Sequence, residues 1–179
     1  MILGLSLSAF TLLHVVISLI AIGAGLTVLI AMANGDRLPG WTALFLAMTF
    51  LTSATGFLFP PKPIGPPHIF GFATLAMMIP TLLGLYVFRL AGWWRLIYIA
   101  GAVFVLYLNS VVAVVQFFQK FAFLKPLAPT QTEPPFLIAQ SVLLVVIVVL
   151  GVLAAIRYRP TFSPAVHPMD VSAARPGAA

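Results

Sequence analysis

Charge is scarce in this chain: 7% of its 179 residues are Asp, Glu, Lys or Arg, and only three of those are acidic. A soluble domain carries about 25% charged residues. Water would solvate this surface poorly, so lipid is its natural solvent. Cysteine is absent, which excludes disulfides, thiolate metal sites and cysteine nucleophiles. There are no paired carboxylates, no Ser–His–Asp set, no metal-ligand spacing and no phosphate loop, so the sequence predicts no catalysis. The net charge of +6 does not point to nucleic acid. Its cations sit singly or in pairs at the ends of apolar runs, as anchors at a membrane surface do.

Apolar sequence is what the chain has in abundance, at 62%. A helix that crosses a bilayer needs about 20 such residues. Five runs qualify, at about 3–32, 41–59, 68–88, 96–119 and 135–156. Helix is the expected form, because backbone groups facing lipid must be satisfied within their own segment. The breaks are "ANGDRLPG" (33–40), "PPKPIGPP" (60–67), "RLAGWWR" (89–95) and "LKPLAPTQTEPPF" (124–136). Proline removes a donor and restricts its predecessor, so the second and fourth breaks cannot be helical for long. The first run has no Lys or Arg before it and outlasts the roughly 7–15 residues of a signal peptide, so it is expected to remain as a helix. The expected fold is thus an all-α membrane protein, a five-transmembrane-helix bundle over 1–159. A polar, proline-rich tail at 160–179 is expected to be disordered.

Basic residues in short loops set the expected orientation. Five spans put Lys62, Lys120 and Lys125 on the face of the N-terminus. They put Arg37, Arg89, Arg95, Arg157, Arg159 and Arg175 on the other. Three against six makes the arginine face cytoplasmic, with the N-terminus outside. Both proline-rich loops then lie outside, each with Lys-Pro early and Pro-Pro late, a faint echo of a duplicated hairpin.

The 124–136 stretch has two readings. As a rigid cap, Thr132 heads the fifth helix and Glu133 complements its positive end, with Pro134 and Pro135 in the first turn. As a lid, it folds over a polar stripe on the fourth helix. Asn109, Ala113, Gln116 and Lys120 follow spacings of four, three and four, so they share one face, with Gln119 beside it. Gln140 lies one to two turns into the next helix. Amides in a bilayer face the bundle interior. Asn109, Gln116, Lys120, Gln131, Glu133 and Gln140, with His68 at the rim, would line an outward-facing pocket, Glu133 pairing with Lys120 or Lys125. The plainer alternative is helix–helix glue, each amide bonding a neighbouring backbone. The pocket would take a small polar or lipid-headgroup ligand, or dock a partner subunit.

His14 and His68 fall at similar expected depth on different helices. Two such imidazoles would ligate a b-type haem, or one would bond a quinone carbonyl. The structural alternative seats His68 among headgroups and bonds His14 to a helix backbone. Other features are architectural. Ala21 with Gly25, and Gly23 with Thr27, give small-xxx-small spacing, and Thr49, Thr52, Ser53 and Gly56 form a small polar face. Pro80 is expected to kink the third helix and free the carbonyl of Ala76. Trp41, Trp93 and Trp94 suit an interfacial belt.

The stretches "LHVVISLIAIGAG", "TSATGFLFP", "HIFGF", "FRLAG", "LYLNSVVAVVQFFQK" and "LAPTQTEPPF" together resemble a family of small bacterial polytopic inner-membrane proteins to which no activity is assigned. The resemblance spans roughly residues 13–140. It implies a bacterial inner-membrane setting and lends no catalytic residue. The expected partners are the bilayer itself and a second copy or a partner membrane subunit.

Overall fold

A computed structural model describes residues 2, 4–59 and 65–160. The tail from 161 onward, with His167 and Arg175, and the loop holding Lys62 and Pro63 lie outside the described residues. The described chain is helical throughout its long elements, α1 (Leu7–Asn34), α2 (Pro39–Gly56), α3 (Pro66–Leu82), α4 (Trp94–Lys120) and α5 (Pro134–Arg157). Among the described residues, four stretches are long and apolar enough to cross a membrane: α1, α4, α5 and His68–Val87, which is α3 with the turn that follows it.

The helix ends follow local chemistry. Ser6 caps α1, its hydroxyl accepting from the Ala9 N–H at 3.2 Å. Gly35 closes α1 at φ 91°. Its N–H reaches the Met32 carbonyl while the Asp36 N–H reaches that of Ala31, the paired bonds of a Schellman motif. Three helices begin on proline: Pro39, Pro66 and Pro134. Their first turn needs no internal donor, so proline costs nothing there. This is why α2 and α3 start two residues before the expected 41 and 68.

Pro80 does not end α3. The chain continues into a π-helical turn, Leu83–Val87. Met77 also receives a bond from the Thr81 hydroxyl at 2.7 Å. Arg89 and Leu90 then turn the chain with φ of 44° and 60°, and the Leu90 N–H returns to the Gly84 carbonyl at 2.8 Å.

The core is a seam where α1, α2 and α4 meet, with Phe45, Leu29, Val28, Val105, Leu106 and Tyr98 almost fully buried. Gly25 makes that approach feasible, since a Cβ there would sit 2.7 Å from both Leu106 and Phe45. Gly101 plays the same part between α4 and Thr81 of α3. Gly23 faces open space, so of the two small-residue pairs only Ala21 and Gly25 serve helix packing. The outward faces are apolar instead of polar. Val142, Val145, Val149, Val152 and Ile156 of α5 are all exposed, as expected where lipid replaces water.

The helix ends gather the charges. Arg157 donates to the Ala33 carbonyl at 3.4 Å, joining the ends of α5 and α1. Arg95 donates to Ala155 and Tyr158, joining the start of α4 to the end of α5. These arginines therefore share one end of the bundle, and His14, His68, Lys120 and Lys125 lie toward the other.

Candidate functional site

At the lysine end, a cavity of about 380 Å³ lies between the last turn of α4 and the loop that leads to α5. Its polar lining is Gln119, Lys125, Thr130 and Gln131, with Phe118 and Ala128 behind them.

The loop is built to hold a shape. Phe121 leaves α4 in an extended conformation, and a 3₁₀ turn follows at Lys125–Leu127. Ala128 is then buried beneath it with Phe118 and Phe136. Those two rings meet edge to face, 5.4 Å apart at 89°, a favoured aromatic geometry. This small apolar clasp ties the loop to α4 and α5 at once. The carboxylate of Glu133 then gathers the chain above it. One oxygen accepts from the Thr130 N–H at 3.0 Å and from the Thr130 hydroxyl at 2.8 Å, and the other accepts from the Thr132 N–H at 3.0 Å. The Thr130 and Thr132 hydroxyls lie 2.6 Å apart.

Glu133 is thus the residue at the cap position of α5, where the sequence placed Thr132. Its side chain turns back to the loop and makes no ion pair with Lys120 or Lys125 among the described residues. Desolvation is the largest single influence on its pKa and raises it, but the bonds from the Thr130 hydroxyl and the loop N–H groups together outweigh that and hold it below the ordinary carboxylate value.

The remaining expected pocket residues separate. Gln131, at φ 62°, lines the cavity and donates from Nε2 to the Val115 carbonyl at 3.4 Å. Gln140 donates to the Val111 carbonyl, also at 3.4 Å. The two amides therefore sit one turn apart along α4, each on a neighbouring backbone. Gln116 and Lys120 are exposed and outside the cavity lining. Asn109 is half-buried farther down α4. Its Nδ2 and the Oε1 of Gln140 are buried without a hydrogen-bond partner, as are the hydroxyls of Thr49, Thr52 and Ser110. Unsatisfied polar atoms in a membrane interior are costly.

His14 and His68 flank the end of α2. His14 packs edge-on against Phe59, 5.3 Å between centroids, and its Nδ1 lies 2.7 Å from the Thr55 hydroxyl. That hydroxyl also lies 2.7 Å from the Leu51 carbonyl, so the direction of the His14–Thr55 bond follows the tautomer of the imidazole. His68 is engaged through the same ring nitrogen. Its Nδ1 accepts from the Gly65 N–H at 3.5 Å, which leaves the proton on Nε2. Its ring lies by Phe57, 6.1 Å between centroids, away from the lid cavity. No group of three or more potential metal ligands occurs among the described residues.

Sequence reasoning overlooked two features at the other end. Arg95 and Arg157 serve as caps on the carbonyls that end α5 and α1. The signal for them was a cation beside a helix C-terminus. A second cavity, of about 240 Å³, is lined by Arg37, Arg89, Tyr86, Tyr158 and the start of α2. No protein-family model, no curated protein and no solved structure matches this chain.

Proposed function

We propose that this protein is an integral bacterial inner-membrane protein whose lysine end holds an outward-facing polar pocket for a small polar or lipid-headgroup ligand, or for a segment of a partner subunit. The carrying observation is the 380 Å³ cavity under a loop that its own carboxylate and an aromatic clasp hold in place. A site held in advance of binding loses less free energy to ordering when the ligand arrives. Lys125 supplies the charge, and Gln119 and Gln131 supply amides, a set that suits a polar ligand with a single acidic or phosphate group. All five long helices cross the bilayer in this reading. α2, with 18 residues, is about 27 Å long at 1.5 Å per residue. It turns Thr49, Thr52 and Ser53 inward and is less apolar for that reason. The arginine end is cytoplasmic, the N-terminus is outside, and the inner-membrane setting rests on the family resemblance.

The test is thermal stabilisation of purified protein by glycerol phosphate, phosphoethanolamine and simple polyols. A hit whose midpoint concentration rises about tenfold in Lys125→Leu or Gln119→Leu, the scale of one charge-assisted contact, supports the pocket. No hit, or one that survives both substitutions, removes it.

A second reading, a redox protein with b-type haem or quinone near His14 and His68, is favoured by one observation. His14 and His68 flank the end of α2 and each is held through Nδ1, and the Nε2–H of His68 suits a quinone carbonyl. An absorption spectrum of protein from haem-replete cells decides the haem version.

A further inference from the structure

A hydroxyl inside a helix commonly donates to the carbonyl four residues earlier. Thr11, Ser18, Thr27, Thr55 and Thr81 all do so, at 2.7–2.9 Å. Thr49, Thr52 and Ser110 do not. Only 0%, 9% and 5% of their surfaces are exposed, and each hydroxyl lacks a hydrogen-bond partner among the described residues. The Nδ2 of Asn109, beside Ser110, is buried and unpartnered too.

These groups come from two helices and share one level of the bundle. A Cβ on Gly25 of α1 would meet both Phe45 of α2 and Leu106 of α4, so those three residues lie side by side. α2 and α4 both start at the arginine end and run toward the lysine end. Four residues on from Phe45 and Leu106, about 6 Å at 1.5 Å per residue, Thr49 and Ser110 stand on nearly the same faces. α1 runs the other way and brings Ala21, fully buried, to that level, where it contributes only a methyl group. The same α1–α2 register recurs farther on, where His14 Nδ1 lies 2.7 Å from the Thr55 hydroxyl.

The two sides of this level differ. Toward the arginine end it is closed by Val28, Leu29, Phe45, Val105 and Leu106, all apolar and almost fully buried. Toward the lysine end polar groups continue, through Thr52, Ser53 and the Thr55–His14 pair. Buried hydroxyls are normally paired, and an unpaired one in a bilayer interior is costly. A partner for this set is small, because Phe45 and Leu106 pack against α1 one turn away. It both accepts and donates, as hydroxyls do. Water meets both conditions, and these groups match the two to four contacts that a buried water makes.

We propose that the Thr49–Ser110 level is an internal water site. Thr49, Thr52, Ser110 and the Asn109 amide are its hydrogen-bond partners, and the lysine end is its route of entry. It is separate from the lid cavity, which none of these residues lines. Ordering the water costs entropy, so an apolar isostere such as Thr49→Val dries the level and still gains stability.

The test places single cysteines in the full chain, which has none of its own, and follows the loss of thiol to silver ion in lipid nanodiscs. The reacting species is the thiolate, which dry apolar surroundings suppress. Thr52→Cys and Ser110→Cys should react at least about tenfold faster than Val105→Cys, at an apolar position just as buried. Adding Thr49→Val to Ser110→Cys should slow its reaction about tenfold, the scale of one hydrogen bond to a bound water. Adding Lys125→Leu should leave the rate unchanged, which keeps this result independent of the lid pocket. The water site is overturned if Thr52→Cys or Ser110→Cys stays inert, if Val105→Cys reacts as fast as they do, or if Thr49→Val has no effect.

Discussion

Arg95, at the start of α4, donates from one guanidinium nitrogen to two carbonyl oxygens at the end of α5, Ala155 at 2.8 Å and Tyr158 at 2.9 Å. A positive group here meets both the unsatisfied acceptors and the negative end of α5. Arg95→Met leaves those carbonyls unpaired, with an expected loss of about 1–3 kcal/mol in a denaturant titration. Arg95→Lys should recover only part of it, because its ammonium still offers donors but sits on a shorter stem. No change in Arg95→Met would remove this clamp from the fold.

Two glycines give a contrast within one protein. A Cβ on Gly101 would run into the Thr81 side chain, which is itself fixed to Met77. Gly101→Ala should cost about 1–3 kcal/mol through overpacking. Nothing lies within 4 Å of a Cβ on Gly23, so Gly23→Ala should gain about 0.5–1 kcal/mol from helix propensity. Equal effects in thermal unfolding would contradict the α3–α4 packing described above.

The Thr49 hydroxyl is fully buried and has no hydrogen-bond partner among the described residues. Thr49→Val keeps the shape and removes the orphan, with an expected gain of about 1 kcal/mol. A loss of that size would show that the hydroxyl has a partner in the membrane.

Glu133 gives the pH dependence. Desolvation, the largest single influence, raises its pKa, but the hydrogen bonds from the loop together outweigh it and hold the carboxyl below the ordinary value of 4.5. A depressed folded pKa contributes stability that is complete above the ordinary value. That stability is lost as pH falls through the lower folded value. Protection of the Thr130 and Thr132 amides from exchange, corrected for intrinsic rate, should therefore fall below about pH 4.5. Glu133→Gln should show the weaker protection already at neutral pH. Protection that is flat in pH and unaltered in Glu133→Gln would mean the carboxylate does not hold the lid.

Much of the fold was legible because lipid demands long unbroken apolar runs and because proline and glycine mark the ends. The ends themselves were misread at Pro39 and Pro66, where proline was taken as outside the helix although the first turn tolerates it. Pro80 was read as a kink, and the π turn after it left no separate trace in the sequence. The site was legible only in part. Gln131, Lys125, Thr130 and Gln119 meet at one cavity because the loop is short and polar. Asn109, Gln116 and Lys120 share a periodic stripe on the fourth helix and Gln140 lies on the next, but periodicity does not say which neighbour each side chain meets. Gln140 meets the Val111 carbonyl, while Gln116 and Lys120 meet none of the cavity. The arginine cavity could not be read at all, because Arg37 and Arg89 come from two separate breaks and Tyr158 from the end of the fifth helix.

The central claim is that the lid opens to the outside of the cell. The natural absence of cysteine allows a direct test by single-cysteine labelling with a membrane-impermeant maleimide. Thr132→Cys, on the lid, should react in intact spheroplasts, and Asn34→Cys, at the end of α1, should react only after the membrane is opened. The reverse pattern would place the lid in the cytosol and contradict the account.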